Sequence, residues 1–102
     1  MPLLHTVNKS PFDRNSLDAC IRLASKGSSV LLIEDGIYGA MKDTDKSDLI
    51  TKVINDISFY VLGPDLKARG ISEDKLINGI NIVGYGDFVD LVEQHSATQA
   101  WL

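Results

Sequence analysis

The stretch from Ser28 to Gly36 constrains the fold more than any other part of this 102-residue chain. Its centre is a run of four consecutive apolar residues, Val30–Ile33, which ends abruptly in Glu34, Asp35 and Gly36. An apolar run without polar alternation is typical of a strand covered on both faces, as in a parallel sheet with helices on each side. We therefore predict that this run is the central strand. The acidic turn after it would lie at the edge of the sheet where ligands bind in such folds.

Segments with strand and helix patterns alternate along the rest of the chain. Further strands are predicted at 3–7, 58–62 and 80–83, and helices at 16–26, 45–56 and 87–95, with short helical turns at 37–41, 64–69 and 72–76. Gly27 is expected to end the first helix, and Phe88, Leu91 and Val92 are expected to face inward from the last one. Such alternation favours parallel pairing through right-handed crossovers. The predicted fold class is therefore a three-layer α/β/α sandwich with a mostly parallel sheet of four to five strands.

Length and composition limit the class of protein further. A chain of 102 residues has the size of one compact domain, so we expect a single domain over 1–102. No basic segment followed by a long apolar run opens the chain, and no apolar run approaches the ~20 residues of a membrane span. These features predict a cytoplasmic protein. A net charge of −4 argues against direct binding to nucleic acid, which requires clustered Lys and Arg.

Cys20 is the one cysteine of the chain and its only soft nucleophile. It falls on the apolar stripe of the first predicted helix, where a free cysteine is commonly an inert core residue. The alternative is a sulfur carrier that holds a persulfide, which requires an accessible thiol with a lowered pKa. The local pattern favours the core interpretation and leaves the carrier interpretation open.

The remaining polar candidates do not form a recognisable catalytic or metal-binding pattern. Glu34 and Asp35 are adjacent, so on an extended chain they would point to opposite faces and would not converge on one atom. Neither His5 nor His95 has a second potential ligand at a spacing typical of metal sites, so we expect no metal. His5 is most simply a hydrogen-bonded, half-buried strand residue. The loop at 8–12 lacks the glycines of a phosphate-binding loop, so we expect no nucleotide or other cofactor.

Trp101 and Leu102 are two large apolar residues in a tail that would otherwise be polar and frayed. Either the tail folds back on its own domain, or it anchors a subunit interface, where Trp is enriched. We regard both residues as candidate interface residues. Glu34 and Asp35 are candidates for the same role, on the strength of their position alone.

Five stretches distributed from end to end of the chain match one known pattern. They read LHTVNKSPF (4–12), VLLIEDG (30–36), YVLGPDLKARG (60–70), DFV (87–89) and QAWL (99–102). Taken together they resemble the DsrH/TusB family of small sulfur-relay subunits. The opening His-Thr-x-x-x-Ser-Pro-Phe and the closing Ala-Trp are specific as a set.

The resemblance implies a flavodoxin-like, DsrE-like fold and a subunit of a heterohexamer. That complex would hold two copies each of three homologous chains, either DsrE, DsrF and DsrH or TusD, TusC and TusB. In the family the principal persulfide cysteine belongs to the DsrE/TusD chain, and sulfur then passes to an acceptor of the DsrC/TusE type. The resemblance thus implies a sulfur-transfer subunit with little or no turnover of its own.

Cys20 is the residue on which the choice of branch depends. Members of the sulfur-oxidiser branch resemble this chain in having a cysteine in the first helix, which favours a DsrH-like subunit in dissimilatory sulfur oxidation, with Cys20 as an auxiliary persulfide acceptor. One alternative is a TusB-like subunit of the relay for 2-thiolation of the tRNA wobble uridine. Others are a non-catalytic scaffold and a small-molecule-binding enzyme of the flavodoxin-like type.

Overall fold

Five strands form one parallel sheet in the computed structural model, which describes residues 3–102. The strands are β1 (Leu4–Val7), β2 (Ser29–Leu32), β3 (Ser58–Leu62), β4 (Asn81–Val83) and β5 (Thr98–Trp101). Their order across the sheet is β4-β3-β2-β1-β5, and every neighbouring pair is parallel. The apolar run therefore occupies the central strand, as predicted.

Within residues 3–102, four α-helices and two short 3₁₀ segments connect the strands. The helices are α1 (Ser16–Leu23), α2 (Ser47–Thr51), α3 (Gly63–Ala68) and α4 (Tyr85–Gln94), and the 3₁₀ segments are Glu34–Ala40 and Glu73–Lys75. No helix in the described part of the chain is long and apolar enough to cross a membrane.

The two faces of the sheet are covered unequally. On one face, alternate strand residues such as Val30, Leu32 and Phe59 pack against side chains of α1, α2, α3 and the first 3₁₀ segment. On the other face, Leu4 and Leu31 pack against α4 alone. The arrangement is the predicted α/β/α sandwich, with a thick layer on one side and a single helix on the other.

The boundaries of the first two helices differ from those predicted. Helix α1 ends at Leu23, because Ala24 already has an extended backbone (ψ 131°), so Gly27 does not end the helix. Gly27 instead lies in the turn to β2 with φ 91°. The helix predicted at 45–56 is ordered as α2 over only five residues, followed by turns. Thr51, Val53 and Ile54 are β-branched and have low helix propensity, which is consistent with the early end.

Helix α4 and the tail also depart from the prediction. The helix begins at Tyr85, after Gly84 donates its backbone N–H to Asp87 Oδ2 at 3.0 Å. Leu91 is buried, but Val92 is 42% exposed, so the prediction that Val92 faces inward was wrong. Helix α4 therefore buries only part of its apolar surface against the sheet. The tail, predicted only to fold back or to anchor an interface, forms the fifth strand, β5, beside β1.

Candidate functional site

Cys20 lies in the middle of α1 and is fully buried in the main core cluster. The same cluster contains Leu17 of this helix and Val30 of the central strand. Burial raises the pKa of the Cys20 thiol to about 12. Because the thiolate is the reactive form, a protonated and enclosed thiol is a poor sulfur acceptor in this conformation. The geometry therefore favours the core interpretation that the sequence left open.

The acidic turn after β2 is fastened to helix α3. Glu34 has a left-handed backbone conformation (φ 49°), and its N–H donates to Asp65 Oδ2 at 2.7 Å. Asp35 Oδ1 accepts hydrogen bonds from Nε and Nη2 of Arg69 at 3.1 and 3.0 Å. Asp65 therefore holds the backbone of Glu34, and Arg69 holds the side chain of Asp35.

This arrangement defines what the turn can do chemically. The carboxylate of Asp35 is engaged by the guanidinium of Arg69, which occupies Oδ1 with two charge-assisted hydrogen bonds. The side chain of Glu34 is exposed, and within residues 3–102 it forms no hydrogen bond or ion pair with a second carboxylate or a nucleophile. The turn is therefore suited to polar contact with another molecule rather than to acid–base chemistry. That Glu34 and Asp35 form an interface stays a prediction.

The loop between β1 and α1 lines two open clefts that the sequence did not single out. One has a volume of about 410 Å³ and is lined by Lys9, Ser10, Asp13, Arg14 and Asp35. The other, of about 520 Å³, shares Asp13 and Arg14 and extends past exposed Phe12. Charges of both signs line both clefts. The loop follows β1, the strand at which the strand order reverses, and in open parallel sheets ligands bind at such a position. Only the assembled sheet reveals where the reversal lies.

His5 and Trp101 are the one pair of predicted candidates that the fold brings together. Trp101 Nε1 donates a hydrogen bond to His5 Nδ1 at 3.1 Å, and the ring centroids are 6.2 Å apart. His5 is 2% exposed, so it is buried rather than half-buried, and its Nε2 has no partner among the described residues. Burial lowers the pKa of His5, which keeps the ring neutral at pH 7. Trp101 thus packs back on its own domain, while Leu102 is 83% exposed.

The two histidines do not meet. His95 Nδ1 lies 2.6 Å from the Leu91 carbonyl oxygen, and its Nε2 lies 2.9 Å from Ser29 Oγ, so the ring links the end of α4 to the start of β2. Among residues 3–102 there is no group of three or more His, Cys, Asp or Glu arranged to hold a metal ion.

The fold and these contacts define a small parallel α/β protein whose thiol is enclosed and whose turn carboxylate is paired. A family model described as "DsrH like protein" matches residues 9–98. The chain is also 36% identical over 99 residues to the protein TusB of Erwinia tasmaniensis and 33% identical over 100 residues to that of Pectobacterium parmentieri. In both comparisons 97% of this chain covers 100% of the relative. The chain belongs to the DsrH/TusB family.

Solved structures with similar folds are more distant in sequence. The ychN protein of E. coli superposes with a TM-score of 0.80 at 14% identity, covering 98% of each chain. The protein MTH1491 of Methanobacterium thermoautotrophicum, described as of unknown function, has a TM-score of 0.71 at 19% identity, covering 94% of this chain and 96% of its own. These likenesses establish the fold.

Proposed function

We propose that this chain is a TusB-like subunit of a sulfur relay that supplies 2-thiolation of the tRNA wobble uridine. The observation that carries the proposal is the full-length similarity to TusB proteins. The match covers 97% of this chain and 100% of each relative. The buried thiol supports a subunit that contributes to assembly more than to sulfur chemistry. The alternative, dissimilatory sulfur oxidation, depends on Cys20 as a sulfur acceptor and is the less supported branch.

The partners proposed for this subunit follow from the family. They are a TusD-like and a TusC-like homologous chain in a cytoplasmic heterohexamer, with a TusE-like protein as the next sulfur acceptor. In this scheme the persulfide forms on a cysteine of the TusD-like chain. No direct contact with tRNA is needed from this acidic subunit, whose net charge is −4.

Cys20 provides the sharpest test of the role of this chain within the relay. In the proposed scheme Cys20 is a core residue, and Cys20→Ala leaves sulfur transfer intact as long as the subunit folds. If Cys20 instead accepts a persulfide, helix α1 must open to expose the thiol, and the same substitution abolishes that step.

The experiment deletes the chromosomal gene in the source organism and measures 2-thiouridine in total tRNA by mass spectrometry. We expect the modification to fall on deletion and to return with either the wild-type or the Cys20→Ala gene. A deletion that leaves 2-thiouridine unchanged but stops growth on reduced sulfur would support the oxidation branch instead.

A second measurement tests the carrier role directly. The purified chain is incubated with a persulfide donor and its intact mass is recorded, with the Cys20→Ala variant as the matched control. We expect no added sulfur on either chain. Persulfidation is a reversible modification of cysteine that adds one sulfur atom, about 32 Da. A gain of that mass that the variant lacks would place Cys20 in the relay.

A further inference from the structure

His5 is buried at a position where a protonated imidazole would have no suitable partner. Its side chain is 2% exposed and lies on the α1 side of the sheet, the side to which Val7, two residues further along β1, contributes to the main core cluster. Its Nδ1 accepts the Trp101 indole N–H at 3.1 Å, and its Nε2 has no partner among the described residues. A second proton would have to bind Nδ1, opposite an N–H that can only donate.

The elements packed around His5 offer no charge that would stabilise an imidazolium. Strands β2 and β5, which flank β1, contain no titratable residue. Helix α1 contains three. Cys20 lies in the core cluster and is neutral, because burial raises its pKa to about 12, and Asp18 and Arg22 pair with each other at 3.5 Å. Burial is accordingly the cause that lowers the pKa of His5.

His95, just after α4, differs from His5 because its contacts are compatible with a protonated ring. Its Nδ1 lies 2.6 Å from the Leu91 carbonyl oxygen, which accepts, and its Nε2 lies 2.9 Å from Ser29 Oγ. An imidazolium donates from both nitrogens, and a hydroxyl that donates to a neutral ring can rotate to accept from a charged one. Acid therefore leaves the end of α4 attached to β2, whereas the strand that follows, β5, depends on His5.

Strand β5 is attached to the fold on one side only. It is an edge strand that pairs with β1 alone. Thr98, Gln99 and Ala100 are exposed, and Trp101 is the residue of the strand that packs against the main core cluster. A short terminal strand with little buried side-chain area opens at a lower free energy than the core strands do. The Trp101 side chain is therefore the main attachment of β5 besides its backbone pairing.

We propose that His5 and Trp101 form an acid-sensitive latch, in which protonation of His5 at Nδ1 breaks the Trp101 hydrogen bond and releases β5 while the rest of the fold stays in place. The proton comes from solvent, and the charged ring is hydrated on β1, which becomes the edge of a four-stranded sheet. The unpaired backbone groups of that edge can then pair with another strand.

The pH range of the release follows from the two states of His5. With β5 open, the ring is in water and has its ordinary pKa of 6.5, whereas with β5 closed the pKa is lower. The open state therefore takes up the proton first as the pH falls. Opening becomes more favourable below pH 6.5, by up to about ten-fold per pH unit, until the pH passes the pKa of the closed state.

The test measures hydrogen exchange of backbone amides in the full chain at about pH 7.5 and about pH 5. His5→Asn is the key variant, because its amide oxygen can replace Nδ1 as the acceptor but does not take up a proton. His95→Gln is the matched control, which removes the other histidine and keeps the latch. We expect protection of residues 98–101 in acid to be several-fold lower in the wild type and the control than in His5→Asn, with the amides of β2 still protected.

Fluorescence provides a second measurement, since Trp101 is the one tryptophan of the chain. On acidification of the wild type we expect the emission maximum to shift to the red and acrylamide quenching to increase, with little change in far-UV circular dichroism. If His5→Asn does not fold, His5→Gln replaces it. The wild-type emission and circular dichroism by themselves distinguish release of β5 from unfolding of the whole domain.

Three results would overturn the latch. Equal acid responses of the wild type and the His5 variant would show that His5 is not the sensor, and loss of the response in His95→Gln would assign that role to His95. Parallel loss of protection in β2 and β5 would show that acid unfolds the domain as a whole. None of these results affects the proposed function, because the latch involves neither Cys20 nor a partner subunit.

Discussion

Trp101, at the end of β5, donates its indole N–H to the imidazole Nδ1 of His5 in β1, over 3.1 Å. Because Nδ1 accepts this bond, the neutral ring carries its proton on Nε2. The bond joins residues 96 positions apart in the chain and links the last strand to the first. It gives a buried histidine a defined tautomer and gives the terminal strand a side-chain attachment in addition to its backbone pairing.

Loss of this hydrogen bond should destabilise the domain. In the Trp101→Phe variant the aromatic packing is largely kept, but His5 Nδ1 is left buried without a donor. We expect the free energy of unfolding to fall by about 1–3 kcal/mol, measured by urea denaturation. Leu102→Ala, at a residue 83% exposed, is the control and should change stability by less than about 0.5 kcal/mol. Equal stability of Trp101→Phe and the wild type would contradict the role assigned to the bond.

Stability should also depend on the protonation of His5. Burial lowers the folded-state pKa of His5 below its ordinary value of 6.5, so the unfolded chain takes up the proton first as the pH falls. The contribution of His5 is therefore fully present above pH 6.5 and is lost as the pH falls from there towards the folded-state pKa. Protonation also turns Nδ1 into a donor, which is incompatible with the Trp101 bond.

The measurement is the free energy of unfolding of the wild type and of His5→Gln between pH 7.5 and about 5. We expect stability of the wild type to decline towards acid more steeply than that of the variant. His95 is present in both proteins, so the difference between the two curves isolates His5. Parallel curves would show that His5 does not take up a proton preferentially in the unfolded state.

Cys20 should react slowly with alkylating reagents while the protein is folded. The thiol is fully buried and its pKa is raised to about 12, so neither access nor ionisation favours reaction. We expect iodoacetamide labelling, followed by mass spectrometry, to be slow in buffer and fast in urea. A matched variant carries Cys20→Ala with Leu23→Cys, which places a thiol at an exposed position of the same helix, and it should label rapidly in buffer. Equal labelling rates for the folded wild type and the folded variant would contradict the burial of Cys20.

Gly36 should be intolerant of any side chain. A Cβ at Gly36 would lie 2.1 Å from the carbonyl oxygen of Val7, the same oxygen that accepts the Ile33 N–H at 3.0 Å. Gly36→Ala must displace the end of β1 or the turn after β2, and we expect a cost of about 3 kcal/mol in unfolding free energy. Gly86→Ala is the control, because a Cβ there meets nothing within 4 Å, and in α4 it should stabilise by about 0.5–1 kcal/mol. Similar stabilities for the two variants would contradict the close contact.

The architecture was predictable because it depends on local patterns. An uninterrupted apolar run such as Val30–Ile33 is expected only where both faces of a strand are covered, and alternating strand and helix patterns favour parallel pairing. Predictions failed where the spacing of apolar residues along the chain does not match how the folded chain packs. Val53 continues the helical spacing of α2 although the helix has already ended, and Val92 belongs to an apolar stripe that the sheet does not cover.

The candidate site was less predictable because its contacts join distant parts of the chain. The Asp35–Arg69 pair spans 34 positions and the Trp101–His5 bond spans 96, and no local pattern encodes either. Asp35 was a candidate because of its position after the central strand, and its cationic partner, Arg69, just past the end of α3, became visible only in the fold. The clefts beside the β1–α1 loop depend on the strand order in the same way.

For Cys20, the spacing of apolar residues along α1 was enough to place the thiol on the inward face, and the residues of the chain were enough to indicate the family. How deeply that thiol is enclosed was decided by the tertiary structure, which buries it fully in the main core cluster and raises its pKa to about 12. The physical reason is that helical periodicity determines which side of a helix is apolar. The depth of burial, and hence the free energy needed to ionise the thiol, depends on every element packed around that side.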